Sequence, residues 1–481
     1  MPGGYRPSSI NRLPRIAGGS KTPHETPCWI ISSAPGIGWL NSGLSKASEP
    51  AGTDRFCLAA ERGIVEKTSM PGRCTGWILA VLLVCAGNTA QAQVDPIKRQ
   101  LLQFGYNQPL EGRGPIAGYA FYFLNRPGYL RTNLTLRLAV APVYADAELG
   151  IKGLLGRHTD LGIGIAGGGF ADTHQEVRGG RYLDGESFTG HGAEISAAIY
   201  HLLNPGKRIP LHLVGRVAGH FTQYIHDSDV APGFEIPDDR RSLRLRAGFR
   251  LGGREPLLTP ALALEFSGWY EARLHDTEGA YGFGGDRLAE ATVHLFRSRA
   301  LLAYTFPGRG DYLTASVTAG ASLNQDRLNA FQMGGALPLS SEFPLTLPGY
   351  YFGEISARRF ILLGGLYASP VGPSKRWTLN GFATTAFVQY VPGMRQPGNS
   401  HTGLGAGLGY RSQENVWQMI LSYGYGVDAL RPNHRGAHAV GLLLQYDLEA
   451  RHRLRPTFEP GIGPDKTRAL ERFIRRLNIF K

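Results

Sequence analysis

Residues 211–221 read Leu-His-Leu-Val-Gly-Arg-Val-Ala-Gly-His-Phe. Leu211, Leu213, Gly215, Val217, Gly219 and Phe221 take one set of alternate positions; His212, Val214, Arg216, Ala218 and His220 take the other. A strand sends successive side chains to opposite faces, so this run has one apolar and one mixed polar face. Four other segments repeat the pattern. At 243–251, Leu243, Leu245, Ala247, Phe249 and Leu251 alternate with Arg244, Arg246, Gly248 and Arg250. Residues 312–323, 417–427 and 436–448 alternate similarly, the last through Val440, Leu442, Leu444, Tyr446 and Leu448. About ten residues of period two is the length of a tilted strand crossing a bilayer, with lipid on one side and a lumen on the other. A soluble sandwich also alternates, but its dry core could not house mid-strand arginines.

Working outward, no run of 18 apolar residues follows Ala92, so no helical span is expected. In lipid every backbone N–H and C=O needs a partner, and a closed barrel is the one sheet that supplies them all. Aromatic residues cluster near segment ends (Tyr119, Phe121 and Tyr122; Trp269 and Tyr270; Tyr350 and Tyr351; Tyr423 and Tyr425), as a membrane girdle requires. Tight turns such as Asn204-Pro205-Gly206-Lys207 alternate with longer loops at 227–240, 275–285 and 392–400. Seventeen candidate strands begin between about 116 and 436, among them starts near 286, 299 and 328. Bacterial single-chain barrels take an even number. The expected fold is therefore an all-β transmembrane antiparallel barrel of about 16 strands, the surplus candidate falling within 131–170, with a short C-terminal helix.

The segment Met70 to Gln93 has the form of a secretory signal peptide: Arg73, an apolar run from Trp77 to Ala86, and Ala90 and Ala92 framing a cleavage site. Its apolar run is too short to span a bilayer. The expected organisation is an upstream extension over 1–69, the signal peptide at 70–92, a periplasmic linker at 93–115, the barrel at 116–449 and a basic tail at 450–481. In that tail Leu470, Phe473, Ile474 and Leu477 lie at helical spacing opposite Arg468, Arg472, Arg475 and Arg476. All four cysteines (Cys28, Cys57, Cys74, Cys85) precede the cleavage site, which excludes disulfides and thiolate metal sites from the exported part. Past Ala92 there are 42 Lys and Arg against 33 Asp and Glu, and the tail holds nine of the basic residues and three of the acidic ones. The rest is close to balanced, which gives no footprint for nucleic acid.

Residues 331–369 run FQMGGALPLSSEFPLTLPGYYFGEISARRFILLGGLYAS. This stretch resembles the barrel of the BamA/TamA superfamily, the bacterial surface antigen family. There an aromatic residue and a Gly-Gly pair close one strand, and a long extracellular loop folds back into the lumen carrying a hydrophobic-Arg-Gly-aromatic motif. Phe331, Gly334 and Gly335 match the first part; Leu347, Pro348, Gly349 and Tyr350 occupy the motif before the twelfth strand, and Glu354 follows. Pro348 stands where the loop arginine belongs, and no partner acid occurs in Thr378 to Tyr390, so the family's ion pair is expected to be missing. The family's periplasmic domains are absent from the sequence between the cleavage site and the first strand candidate.

The resemblance implies a bacterial outer-membrane location and a role in assembly or translocation of proteins or lipids. Its partners would be outer-membrane lipids and unfolded outer-membrane proteins or lipid cargo. A passive porin-like channel is the first alternative and a lipid-modifying enzyme the second. For the enzyme, Ser187, His191, Glu194 and Ser196 crowd one segment, but His191 and Glu194 differ by three positions and fall on opposite faces of a strand. The chain therefore reads as a non-enzyme without a cofactor. Gly162, Gly164 and Gly167 match a dinucleotide fingerprint by spacing, yet lie in an alternating strand with no helix after it. The acidic loop at Asp227, Asp229, Glu235, Asp238 and Asp239 matches no defined cation loop. Arg244, Arg246, Arg250, Glu265, Glu271, Glu354 and Arg358 are expected to face the lumen, paired across strands.

Overall fold

The computed structural model describes residues 97–450 apart from 116, 208, 254–261, 307 and 338–342. Sixteen strands form one closed sheet. In chain order, β1 to β6 are Arg99–Pro109, Ala117–Pro127, Leu134–Ala141, Tyr144–Ile151, Thr159–Gly168 and Thr189–Leu202. Strands β7 to β11 are Leu211–Ile225, Arg240–Gly253, Leu262–His275, Thr292–Thr305 and Tyr312–Leu323. Strands β12 to β16 are Ile355–Val371, Trp377–Tyr390, Ser400–Arg411, Trp417–Arg431 and His434–Asp447. Each strand pairs antiparallel with the next, and β1 closes on β16 from Leu101↔Asp447 to Pro109↔Ala439. One helical turn follows at 448–450.

The alternation sorts chemistry by face. On β7, His212, Arg216 and His220 are buried toward the interior, while Leu213, Val217 and Phe221 are 40–45% exposed on the outside. Ile163, Ile195, Phe266, Ile361, Phe387 and Leu421 repeat that outward exposure around the wall. An apolar band this continuous is far larger than water tolerates on a soluble monomer. It is a surface for lipid.

The strand count matches the expectation, although individual strands differ. β1 lies inside the stretch read as a linker, so the barrel begins at Arg99 rather than 116. The candidate near 286 begins in the cap strand Arg287–Ala289, and the candidate near 299 falls inside β10, which starts at Thr292. The candidate near 328 contributes only Phe331–Met333, a three-residue strand paired with the start of β12. All three candidates within 131–170 are real wall strands (β3, β4 and β5), contrary to the reading that placed the surplus there. The signal peptide and the amphipathic tail lie outside the described residues.

Both described termini lie at the end of the barrel that carries short turns. At the other end the loops 169–188, 226–239, 276–291 and 324–330 pack into a cap. Phe188, Val230, Phe234, Tyr281 and Ala289 form its apolar centre, and Phe234–Glu235, Gly279–Phe283 and Arg287–Ala289 form a small sheet. Glu176, fully buried, is its polar centre, within 2.7 Å of Arg327, 3.0 Å of His174, 3.2 Å of Arg178 and 3.8 Å of Arg287. Burial alone would raise this carboxyl, but His174, Arg287 and Arg327 outweigh it and hold it at about 2.

Candidate functional site: a strap across the lumen

A 16-stranded barrel is too wide for its wall side chains alone to fill. Here the connection from β11 to β12 enters the interior. It leaves the wall at Gly334 and Gly335, where close approach to Tyr350 and Tyr351 allows no side chain: a Cβ on Gly335 would lie 2.7 Å from the Tyr350 carbonyl oxygen. Hydrogen bonds from Gly334 N to Leu345 O (3.1 Å), Leu347 N to Gly334 O (2.6 Å) and Gly335 N to Tyr351 O (2.9 Å) tie the two limbs together. Between them the chain touches three parts of the wall.

Leu337 packs on Tyr119 of β2 and Leu443 of β16. Phe343 sits among Tyr200, Val214 and Trp269 on β6, β7 and β9, with the Arg246 and Arg299 guanidinium groups 5.9 and 5.7 Å from its ring centre. The third contact is Leu347-Pro348-Gly349-Tyr350. Pro348 and Gly349 are the central residues of a tight turn, closed by Tyr350 N donating to Leu347 O at 3.3 Å, with Gly349 at φ +83°. Proline then a left-handed glycine is the type II preference. The tip seats on a patch of wall without side chains. A Cβ on Gly403 of β14 would meet the Pro348 carbonyl at 2.5 Å and its Cδ at 2.6 Å. A Cβ on Gly424 of β15 would meet the Pro348 Cβ at 2.9 Å, and one on Gly426 would lie 2.9 Å from the Tyr350 ring. Glycine in a strand interior weakens the strand and often marks such an approach.

Behind the turn is a buried ion pair. Arg431, at the end of β15, donates to Glu354 Oε1 and Oε2 at 3.2 and 3.1 Å and to the Gly349 carbonyl at 3.0 Å. Its guanidinium lies 3.6 Å from the centre of the Tyr351 ring. Glu354 also accepts from Tyr351 N at 2.7 Å, and the Tyr351 hydroxyl donates to Glu111 O at 2.8 Å. The pair expected to be missing is thus replaced by one of opposite polarity, with the acid at the base of the strap and the arginine on the wall. Arg431 escaped the sequence reading because it is 77 residues from its partner and ends a strand just before Pro432. The one local clue was Glu354 itself, an acid in an otherwise apolar and aromatic stretch. A planar group that stacks on a ring while one nitrogen (Nη1) holds a carboxylate and the other (Nη2) a carbonyl is what arginine supplies and lysine does not.

The remaining charged positions fall as follows. Arg250 and Glu265 pair at 3.2 Å. Arg246 is opposite Glu271 in the β8–β9 register and lies 4.1 Å from the Trp269 ring centre. Glu271 bonds Arg273 at 2.8 Å. Arg244 pairs across β7 with Glu194 of β6 at 3.2 Å, and Glu194 also neighbours Arg216 at 3.6 Å and His220 at 3.5 Å. Arg358 sits at a bulge, skipped between Ala357↔Tyr390 and Arg359↔Gln389, and is half-buried. Pairing makes this side of the lumen wall a connected network.

The serine and histidine residues considered for an enzyme are separately engaged. Ser187 donates to Leu183 O, His191 Nδ1 accepts from Phe170 N, and Ser196 donates to Gly164 O. Gly162 and Gly164 leave room for inward side chains: their Cβ atoms would meet Glu148 Oε1 at 2.8 Å and Ser196 Oγ at 2.7 Å. Asp227 and Asp239 accept from Thr189 N and Tyr224 N. Among the described residues no group of three His, Cys, Asp or Glu side chains could hold a metal ion.

No family model matches the sequence, and no curated protein matches it. Solved structures do share the architecture. The barrel resembles those of CdiB and BamA. CdiB from Acinetobacter baumannii aligns with a TM-score of 0.47 at 12% identity, over 73% of this chain and 60% of that one. CdiB from Escherichia coli gives 0.46 at 14%, over 72% and 63%. BamA from Haemophilus ducreyi lacking POTRA domains 1–3 gives 0.44 at 9%, over 77% and 78%. This chain therefore spans under two thirds of the length of either CdiB structure.

Proposed function

We propose that the protein is a BamA/TamA-like outer-membrane barrel, exported by the peptide at Met70 to Gln93, that works in assembly or translocation of proteins or lipids. The carrying observation is the Leu347-Pro348-Gly349-Tyr350 turn lodged against Gly403, Gly424 and Gly426, with Glu354 and Arg431 behind it. A passive pore needs a clear lumen, whereas this one spends wall strength on glycines to hold a strap across it. Unfolded outer-membrane proteins or lipids are the cargo this reading assigns.

The test is reconstitution in liposomes with an unfolded outer-membrane barrel as probe. Faster insertion of the probe, together with low or flickering conductance in planar bilayers, is the expected pair of results. Unchanged insertion with a large, steady conductance would establish a passive channel instead.

A further inference from the structure

The short-turn end carries a repeated pairing that the strap does not account for. Leu130 and Arg131 stand together in the turn from β2 to β3, both exposed, Leu130 by 83%. In the turn from β4 to β5, Leu154 and Leu155 are 55% and 53% exposed beside exposed Arg157. Leu203 with Lys207 repeats the motif between β6 and β7, and Phe306 with Arg309 between β10 and β11. Between β12 and β13, Lys375 is followed by Trp377, which is 43% exposed. Lys375 reaches the Gly308 carbonyl of the neighbouring turn at 2.6 Å, whereas the ion pairs among the described residues do not include Arg131, Arg157, Lys207 or Arg309.

Acids are scarce in these turns. Asp160 accepts from Gly153 N at 2.9 Å and Asp311 holds Ser369 at 2.9 Å, both buried. Exposed Glu414 lies in the one described turn, 412–416, that has no cation. At the opposite end the loops are rich in acid, with Asp172, Glu176, Asp184, Glu186, Asp227 and Asp229 in two of them. Leu203, Phe306 and Trp377 continue the outward alternation of their strands, and each exposed apolar side chain in these turns has a cation within a few residues of it.

We propose that the short-turn rim is a binding girdle for anionic phospholipid headgroups. The leucines, Phe306 and Trp377 enter the acyl boundary, and Arg131, Arg157, Lys207, Arg309 and Lys375 pair with phosphate at the level where it lies. An apolar anchor beside a cation is the arrangement that attracts an anionic leaflet over a neutral one. The rim of a barrel is fixed to that depth by its own wall, so the cations need no further positioning. This inference rests on the barrel's placement in lipid and not on what the strap does.

The experiment is native mass spectrometry of the purified full chain, titrated with phosphatidylglycerol and, separately, with phosphatidylcholine. The wild type is expected to retain several-fold more phosphatidylglycerol, with the preference shrinking as salt rises. The variant R131S/R157S/K207S/R309S, which keeps only Lys375 of the five cations, is expected to lose most of that preference while keeping its β-sheet circular dichroism, since all four side chains are exposed. Equal retention of both lipids by the wild type would overturn the proposal, as would an undiminished preference in the folded variant. A preference insensitive to salt in the wild type would also overturn it, and that measurement does not depend on any variant folding.

Discussion

Gly403 and Gly426 are register partners on β14 and β15, and the strap turn occupies the space that a side chain on either would need. Two wall glycines facing each other across a strand pair, with a Pro-Gly turn over them, join the seat and the seated element in one piece of packing. Either alone would be a weakness: a strand glycine forgoes packing, and an unseated turn leaves Leu347 and Tyr350 without the burial that both now have.

Replacing Gly426 by valine should lift the turn from its seat. Overpacking of a tight site costs about 1–3 kcal/mol, roughly a 5- to 160-fold shift against the seated form. Planar-bilayer recordings should show longer and larger openings than the wild type. Heat-modifiable gel migration should be retained, because the strand pairing is untouched.

The Glu354–Arg431 pair behaves as a unit in this arrangement. Removing one partner from a buried pair costs about 3–5 kcal/mol, because the other charge is left unpaired. Glu354→Ala and Arg431→Ala should each loosen the strap more than the double variant does, as read by hydrogen exchange over 343–354. Equal and additive losses would show that the two side chains act separately.

Phe343 anchors the far side of the strap. Phe343→Ala should cost about 3–5 kcal/mol at that contact and expose Trp269, which now packs against it and is 6% exposed. Since the chain has six tryptophans, fluorescence quenching by iodide needs comparison with a Trp269→Phe background. The Pro348 turn has its own seat, so conductance should rise less than in Gly426→Val.

The cap around Glu176 has a pH signature. The carboxyl is held at about 2 in the folded protein, below the usual glutamate value of roughly 4.3. Its contribution is fully present above the unfolded value and is lost as pH falls through about 2. Glu176→Gln should therefore reduce hydrogen-exchange protection over 279–289 at pH 7. The difference from the wild type should shrink steadily between about pH 4 and pH 2.

The wall was legible where alternation is clean, as on β7, whose inner His212, Arg216 and His220 contrast with outer Leu213, Val217 and Phe221. β1 was missed because both of its faces are mixed: Leu101 points in and Leu102 out, with Gln103 buried beside Leu101. β10 was placed too late, from near 299, although it starts at Thr292 and its Arg297 and Arg299 are inward lumen residues flanking outward Ser298. The Leu347 to Tyr350 motif was visible as a pattern. Its seat was not, since Gly403, Gly424 and Gly426 resemble any other strand glycines until the strands are wrapped. Arg431 had no local mark at all; only closure of the barrel brings it to Glu354.

The seated strap is tested most directly by cross-linking. The chain has no cysteine beyond Cys85, so Pro348→Cys with Gly424→Cys adds the only pair after that position, and a Cβ on residue 424 would lie 2.9 Å from that of residue 348. That is shorter than the usual disulfide Cβ–Cβ separation of about 3.5–4.5 Å, which a small outward shift of the turn reaches. In membranes treated with a mild oxidant, the expected result is a nearly complete intramolecular disulfide and a change in gel mobility reversed by reductant. A folded, membrane-inserted double variant that forms none, while a wall pair such as Ala406→Cys with Tyr423→Cys cross-links readily, would contradict the account.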